Sequence, residues 1–94
     1  MLFMIQGILK AGSEEQLLAL HNEFNEHLAQ PFPNLAAAGV LRDPDGKRRG
    51  YMGFIEGGSF ADAELYLRES PFFQDGLYER VDVFEYNVEV GTVG

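Results

Sequence analysis

The sequence predicts an α+β fold in which two helices cover one face of a four-stranded antiparallel sheet. Four apolar, turn-bounded segments indicate strands, and two capped segments with an apolar period near 3.6 residues indicate helices, in the order βαββαβ. Prolines at positions 31, 33 and 71 stop the two helices. Two such halves interleave into a ferredoxin-like sheet with both helices on the same face. The 94 residues suffice for a single domain, 1–94, and we expect residues 90–94 to form a loose tail.

The opening segment, MLFMIQGIL, predicts a strand with two apolar faces. Alternation places Leu2 and Met4 on one face and Phe3 and Ile5 on the other. The segment has no basic leader and no small-residue cleavage site, and it is too short to cross a bilayer. We therefore expect a strand of the sheet rather than a targeting or membrane segment.

The segment SEEQLLALHNEFNEHLAQ predicts the first helix. Ser13 is placed to cap it, and Gln16 is placed to complete a capping box. Apolar residues recur on one helical stripe, with His21 inside the stripe and His27 at its edge. Pro31 ends the helix because the residue before a proline is pushed out of the α region.

The middle of the chain predicts two strands joined by a tight turn. NLAAAGVL is a weakly specified strand because of its alanines, and Pro44, Asp45 and Gly46 supply the turn. The next strand, GYMGFIE, is apolar on both faces, as the opening strand is.

The second helix is predicted in GSFADAELYLRE, where Ser59 and Asp62 repeat the capping pattern and Phe60 begins an apolar stripe. It ends at Ser70, before Pro71. The last strand has apolar residues that again fall on two faces: Val81, Val83, Phe84, Tyr86 and Val88.

Composition and charge exclude several classes of function. The chain has 15 acidic and 7 basic residues, and its net charge of −8 repels nucleic acid and anionic membrane surfaces. The absence of cysteine excludes disulfides and thiolate chemistry, and the reduced cytoplasm is the default location. His21 and His27 do not share a helix face, so we expect no metal site, and no Gly-rich phosphate loop follows a strand, so we expect no other cofactor.

The two-faced strands predict a partner. Helices cover only one face of such a sheet, yet three strands carry large apolar side chains on both faces. We therefore expect a homodimer packed through the sheet face opposite the helices, with an interface on the order of 2,000 Å².

Three stretches resemble the YciI-like (YCII-related) family in their spacing: LAAAGVLRDPDG, GYMGFIEGGSFADAELYL and SPFFQDGLYERVDVF. The family's pattern is an Ala-Ala-Gly strand, an acidic Gly turn, a Gly-led apolar strand, a helix with an inward Ala, and Asp-Pro-aromatic before Gly-Leu. The resemblance runs from about residue 35 to residue 86 and includes Gly39, Gly50, Ala63, Pro71, Phe72, Gly76 and Leu77. It implies the dimeric α+β barrel form of the fold.

The resemblance also implies a small-molecule protein with a histidine and aspartate centre, related in some members to dehydrochlorinase or muconolactone-isomerase chemistry. His21 lies one position from the family histidine and is the expected proton acceptor. Ser70 stands where the family has its aspartate, so the carboxylate that would polarise the histidine is missing. Asp43, on the turn at the same end of the sheet, is the candidate substitute unless the second subunit supplies one.

Four further residues are candidates for binding a small-molecule substrate: His27, Arg42, Phe72 and Tyr78. Each also has an ordinary structural interpretation, as a half-buried histidine, a solvated turn cation or an aromatic core residue. The same holds for His21 as a core histidine and for Ser70 as a helix-terminal residue.

Three functions remain open at this level. The first is a small lyase or isomerase that moves protons on an acidic or phenolic molecule, with His21 as the base. The second is a non-catalytic ligand-binding or interaction module, which the serine at position 70 favours. The third is a cofactor-free or haem-using monooxygenase of the same architecture, which rests on fold analogy alone.

Overall fold

The structure, a computed structural model, describes residues 1–30 and 34–91. In chain order its elements are β1 (Leu2–Leu9), α1 (Glu14–Ala19), α2 (His21–Leu28), β2 (Asn34–Arg42), β3 (Arg48–Glu56), α3 (Phe60–Arg68), α4 (Pro71–Gln74) and β4 (Tyr78–Tyr86). The predicted strands and both helical regions are present, whereas the short α4 was not predicted. Residues 92–94 of the expected tail lie outside the described residues.

The four strands form one antiparallel sheet in the order β2-β3-β1-β4. β1 lies in the centre, where Ile5 pairs with Gly53 of β3 and with Val83 of β4. Every second residue of β1 is buried, as the alternation predicts, and Phe3 and Ile5 pack against α3. The predicted ferredoxin-like α+β fold is therefore confirmed.

Two apolar clusters fill the space between the helices and the sheet. The first contains Phe3, Ile5, Ile55, Ala63 and Tyr66, and the second contains Leu9, Leu17, Phe24, Phe72 and Leu77. In the second cluster the ring of Phe72 stacks on that of Phe24, with centroids 4.1 Å apart.

The first helical region differs from its prediction in two ways. Ser13 makes no side-chain cap, because its backbone (φ −96°, ψ 12°) is not extended, and its hydroxyl instead donates to the carbonyl of Lys10 at 2.6 Å. The helix is also interrupted at Leu20, and His27 lies in the core while His21 is exposed, the reverse of the expected order. α2 ends at Leu28, whereas the predicted stop at Pro31 and Pro33 lies outside the described residues.

The second helical region follows its prediction closely at the start. The hydroxyl of Ser59 accepts the N–H of Asp62, and the carboxylate of Asp62 accepts the N–H of Ser59, so the predicted capping box is confirmed. Phe60 was expected on the buried stripe, but it is 51% exposed and touches the core only through an edge contact with Phe3. Within residues 1–30 and 34–91, no helix combines the length and apolar character that crossing a membrane requires.

The sheet face opposite the helices is apolar, and the described helices leave it uncovered. Met4, Phe54 and Phe84 are cross-strand neighbours on this face, and Phe84 is 55% exposed. The rings of Phe54 and Tyr86 meet edge-on with centroids 5.1 Å apart. The single chain therefore exposes a ring-rich surface on its sheet.

Candidate functional site

A cavity of about 280 Å³ lies between α2 and the sheet, on the side that the helices cover. Gly7 of β1 and Gly53 of β3 lie on this side, where the side chains of Tyr78 and Leu35 pack closely against them. The apolar part of the lining consists of Ile5, Phe24, Leu28, Leu35, Ala38, Val40, Met52 and Leu67. Because an apolar cavity of roughly 150 Å³ holds benzene, this one has room for a substituted single ring. We call it the ring cavity.

The ring of Tyr78 lies across β1 at Gly7. A Cβ atom at position 7 would lie 2.6 Å from Cζ and 2.7 Å from Cδ1 of this ring, closer than side chains tolerate. Glycine therefore permits the close approach, and Tyr78 lines the ring cavity as a result. Phe72 backs Tyr78 edge-on, with ring centroids 6.3 Å apart.

His27 is a deeply buried imidazole that lines the ring cavity. Its side chain stacks on Tyr66, with ring centroids 4.2 Å apart, and the residue is only 5% exposed. The Tyr66 hydroxyl donates to the backbone carbonyl of His27 at 3.4 Å. The Nε2 atom of His27 is buried without a hydrogen-bond partner among the described residues. Such an atom costs free energy unless a ligand or water satisfies it.

Burial also sets the protonation states of these groups. It lowers the pKa of His27 below its ordinary value, against the opposing effects of the Tyr66 backbone and the negative charge of Glu69. It raises the pKa of Tyr78 and of Tyr66 above the ordinary value of a phenol, and a hydrogen bond with Ser70 partly opposes this at Tyr78. Near neutral pH the cavity thus presents a neutral imidazole beside two protonated hydroxyls.

His21 and Ser70 both line the ring cavity, at different depths. His21 is exposed at the mouth, where its Nε2 lies 3.3 Å from the side-chain nitrogen of Asn25. Ser70 is 3% exposed, and its hydroxyl accepts the N–H of Phe72 at 3.3 Å as the N-cap of α4. It therefore begins α4, and its own N–H donates to the carbonyl of Leu67 at 3.2 Å in the last turn of α3, in agreement with its interpretation as a helix-terminal residue.

Asp43 and Arg42 lie away from the ring cavity, on the β2–β3 turn. The carboxylate of Asp43 accepts the N–H groups of Asp45 and Lys47 and pairs with Nε of Arg49 at 2.8 Å. The N–H of Lys47 above all, with Arg49, keeps the pKa of Asp43 below its ordinary value, so the carboxylate remains ionised. Asp43 thus organises the turn and is not among the described residues that line the ring cavity with the two histidines.

Carboxylates are not part of the ring-cavity lining within the described residues. In the same part of the chain, no group of three or more histidine and acidic side chains is arranged to hold a metal ion. The acid–base groups of the described lining are imidazole, hydroxyl and guanidinium groups.

Sequence reasoning missed Tyr51 and Tyr66 as site residues and treated them as core aromatics. Tyr66 lies on the buried stripe of α3 between Ala63 and Leu67, and a hydroxyl on an apolar stripe was the available signal. Tyr51 lines the cavity from β3, and its hydroxyl accepts from Nη1 of Arg48 at 3.1 Å.

Comparison with solved structures shows the fold. The chain is similar to the 5-chloro-2-hydroxyhydroquinone dehydrochlorinase TftG from Burkholderia phenoliruptrix, solved in complex with 2,5-dihydroxybenzoquinone. The TM-score is 0.81 at 18% identity, with 93% of this chain and 94% of that chain covered.

Two further structures of this fold are less similar. A putative antibiotic biosynthesis monooxygenase from Chloroflexus aurantiacus has a TM-score of 0.52 at 15% identity, and the match covers 100% of both chains. A MhuD variant with two manganese protoporphyrin IX molecules bound per active site has a TM-score of 0.51 at 16% identity, again over 100% of both chains. Neither the known family profiles nor the curated proteins give a match to the sequence.

Proposed function

We propose that the ring cavity binds a small hydroxylated aromatic molecule and that a histidine in it accepts a proton from the ligand. The observation that carries this proposal is the buried, unpartnered Nε2 of His27 in a cavity of about 280 Å³. An O–H group of a ligand would satisfy that nitrogen, and the hydroxyls of Tyr66 and Tyr78 are donors for a ligand oxygen. The structural likeness to a dehydrochlorinase that acts on a hydroxylated ring supports the same substrate class.

The reaction class that we propose is a lyase or isomerase reaction. Net loss of HCl from a chlorinated hydroquinone gives a quinone: two O–H protons leave, one is added to the ring carbon that loses chloride, and the other departs with the chloride, so a group that accepts and returns protons is needed. Burial keeps the imidazole of His27 neutral near pH 7, which is the form that accepts a proton. His21 remains the alternative acceptor, at the mouth of the cavity.

Replacing His27 by phenylalanine tests whether the unpartnered Nε2 atom of His27 binds the ligand. His27→Phe keeps a ring that can stack on Tyr66 but removes Nε2. We expect calorimetry to show that wild-type protein binds hydroquinone and that the variant has lost most of this affinity. Because the variant also removes a buried unpartnered nitrogen, it should unfold no more easily than wild type near pH 7. Equal binding by both proteins would end the proposal.

Measuring turnover in variants of the two histidines identifies which of them is the base. Chloride release from 5-chloro-2-hydroxyhydroquinone should occur with wild-type protein, persist in His21→Gln and disappear in His27→Phe. The opposite pattern, with activity lost only in His21→Gln, would transfer the role to His21 and restore the assignment made from the sequence.

A non-catalytic ligand-binding role is the second candidate, and the lack of a carboxylate in the described lining favours it. A histidine needs a polarising acid to become a strong base, and Ser70 stands where the resemblance implies one. Hydroquinone binding without turnover, together with no gain of activity in Ser70→Asp, would support binding rather than chemistry.

The monooxygenase alternative rests on the shared fold, and haem titration with an unchanged Soret band would exclude its haem form.

We also infer that a second copy of the chain covers the open sheet face. Phe84 and Tyr86 are 55% and 38% exposed there, which is a large apolar surface for a protein with a net charge of −8. Light scattering at micromolar concentration should give a dimer mass for wild type and a monomer mass for Phe84→Glu. A monomeric wild type would refute this inference and leave the ring cavity unaffected.

We also propose that the chain is a member of the YciI-like family, which the spacing between residues 35 and 86 supports.

A further inference from the structure

A second cavity, of about 360 Å³, adjoins the mouth of the ring cavity and collects most of the positive charge of the protein. The chain has seven lysines and arginines, and five of them line this cavity: Lys10, Arg42, Lys47, Arg48 and Arg49. The other two, Arg68 and Arg80, are ion-paired with Glu64 and Asp82 at 2.6 and 3.2 Å. We call this second cavity the basic cavity.

The charges in the basic cavity are only partly compensated. Arg49 pairs with Asp43, and Glu14 is the acidic residue in the described lining. Lys10 and Lys47 make no ion pair with the described residues. Five cations therefore face two carboxylates in a protein that has acidic residues in excess.

The backbone brings like charges together here. Arg42 and Arg48 are directly opposite on β2 and β3, an arrangement that destabilises a sheet when no anion lies between the side chains. The turn that carries them is held by Asp43, which binds the N–H groups of Asp45 and Lys47 and the side chain of Arg49. Asp43 is thus a positioning residue for the cations that line the basic cavity.

The two cavities meet at His21 and Arg48, which line both of them. Arg48 also donates to the hydroxyl of Tyr51, a lining residue of the ring cavity, and its guanidinium carbon lies 5.7 Å from the centre of the Tyr51 ring. A molecule with its ring in the first cavity would therefore direct a substituent past these side chains into the second.

We infer that the natural ligand is a hydroxylated aromatic acid, whose carboxylate occupies the basic cavity while its ring occupies the ring cavity. This inference rests on the proposed function for the ring and adds the anionic group to it. Arginine forks match carboxylates in geometry, and charge-assisted hydrogen bonds are about twice as strong as neutral ones. The basic cavity would thus supply selectivity, and the ring cavity would supply the chemistry.

Calorimetry with a matched pair of ligands tests the inference. Hydroquinone and 2,5-dihydroxybenzoate share the same ring and hydroxyls, and only the second carries a carboxylate. We expect wild-type protein to bind 2,5-dihydroxybenzoate roughly tenfold more tightly at low salt, the effect of a single charge-assisted contact. This advantage should shrink as added salt screens the exposed charges.

Variants locate the effect. Arg42→Gln should remove most of the preference and leave hydroquinone affinity unchanged, because Arg42 lines only the basic cavity. Lys47→Gln is the second variant, since its side chain makes no hydrogen bond with the described residues and its loss should not disturb the turn. Arg80→Gln, on β4 and outside both cavities, is the matched control and should retain the preference.

The outcomes separate this inference from the proposed function. Equal affinity for the two ligands, or a preference unchanged in Arg42→Gln and Lys47→Gln, would overturn the basic cavity as a carboxylate site while hydroquinone binding kept the ring cavity. Failure of both ligands to bind would overturn the proposed function and this inference with it.

Discussion

Replacing Gly7 by alanine tests how the ring cavity is built. The added Cβ would lie 2.6 Å from Cζ and 2.7 Å from Cδ1 of Tyr78, so the ring must leave its place across β1. Because Tyr78 lines the ring cavity and backs onto Phe72, we expect the change to affect both stability and ligand binding.

Two opposing effects set the change in the free energy of unfolding that we expect for Gly7→Ala. Forcing extra volume into a packed site costs about 1–3 kcal/mol. Replacing glycine by alanine in an extended conformation returns about 0.4–1 kcal/mol, because the unfolded chain loses freedom. With the middle of each range, the net destabilisation expected for Gly7→Ala is about 1.3 kcal/mol, which for a domain of this size lowers Tm by roughly 5–10 °C.

Urea unfolding followed by circular dichroism measures the change, and Gly39→Ala provides the matched control. A Cβ at Gly39, also in a strand that lines the ring cavity, would meet no atom within 4 Å. That variant should be neutral or more stable by up to about 1 kcal/mol.

A double-mutant cycle shows whether Tyr78 is the cause. In a Tyr78→Ala background the ring is gone, and Gly7→Ala should then cost nothing. If Gly7→Ala is as stable as wild type, or if its cost is the same in both backgrounds, the packing of Tyr78 against Gly7 is refuted.

Three further changes test other parts of the structure. Ser59→Ala removes a capping box and should cost about 1 kcal/mol in urea unfolding, and an unchanged midpoint would contradict the reciprocal hydrogen bonds with Asp62. Phe72→Ala should cost about 3–5 kcal/mol, since this ring is 1% exposed and stacks on Phe24, and a cost below about 1 kcal/mol would contradict its place in the core. The lowered pKa of His27 makes the unfolded chain bind a proton more readily than the folded chain. Stability should therefore be full above pH 6.5 and fall as the pH drops from 6.5 through the folded-state value. His27→Phe should lack that part of the loss in unfolding measured across pH, whereas an identical pH dependence would remove His27 as its source.

The sequence predicted the strands well because their apolar alternation is a direct consequence of the pleat. Phe3 and Ile5 are buried on the helix side, and Met4 lies on the other face, as a period of two requires. The fold class followed from the order of these segments and from the capping pattern at Ser59 and Asp62.

Identical local patterns gave different outcomes when the backbone differed. Ser13 and Ser59 both precede a polar residue three positions later, yet only Ser59 has the extended backbone (φ −137°, ψ 173°) that capping needs. The break at Leu20 likewise has no proline or glycine to announce it, and the depths of His21 and His27 are the reverse of those expected.

The ring cavity was less predictable because it depends on strand register. Gly7 and Gly53 are far apart in sequence, and they admit the side chains of Tyr78 and Leu35 on the same face because β1 pairs with β3. The pairing of Asp43 with Arg49 depends on the turn in the same way, and the sequence pattern did not indicate it.

The most direct test of the central claim is a ¹H–¹⁵N NMR titration of the wild-type protein with hydroquinone. Saturable shifts should appear at His27, Ser70 and Tyr78 and at their neighbours around the ring cavity, whereas Phe84 on the open sheet face should not respond. Shifts that fail to saturate or fall outside the ring cavity at ligand concentrations up to about 10 mM would contradict the account, because a specific fragment site of this kind should be occupied at that level.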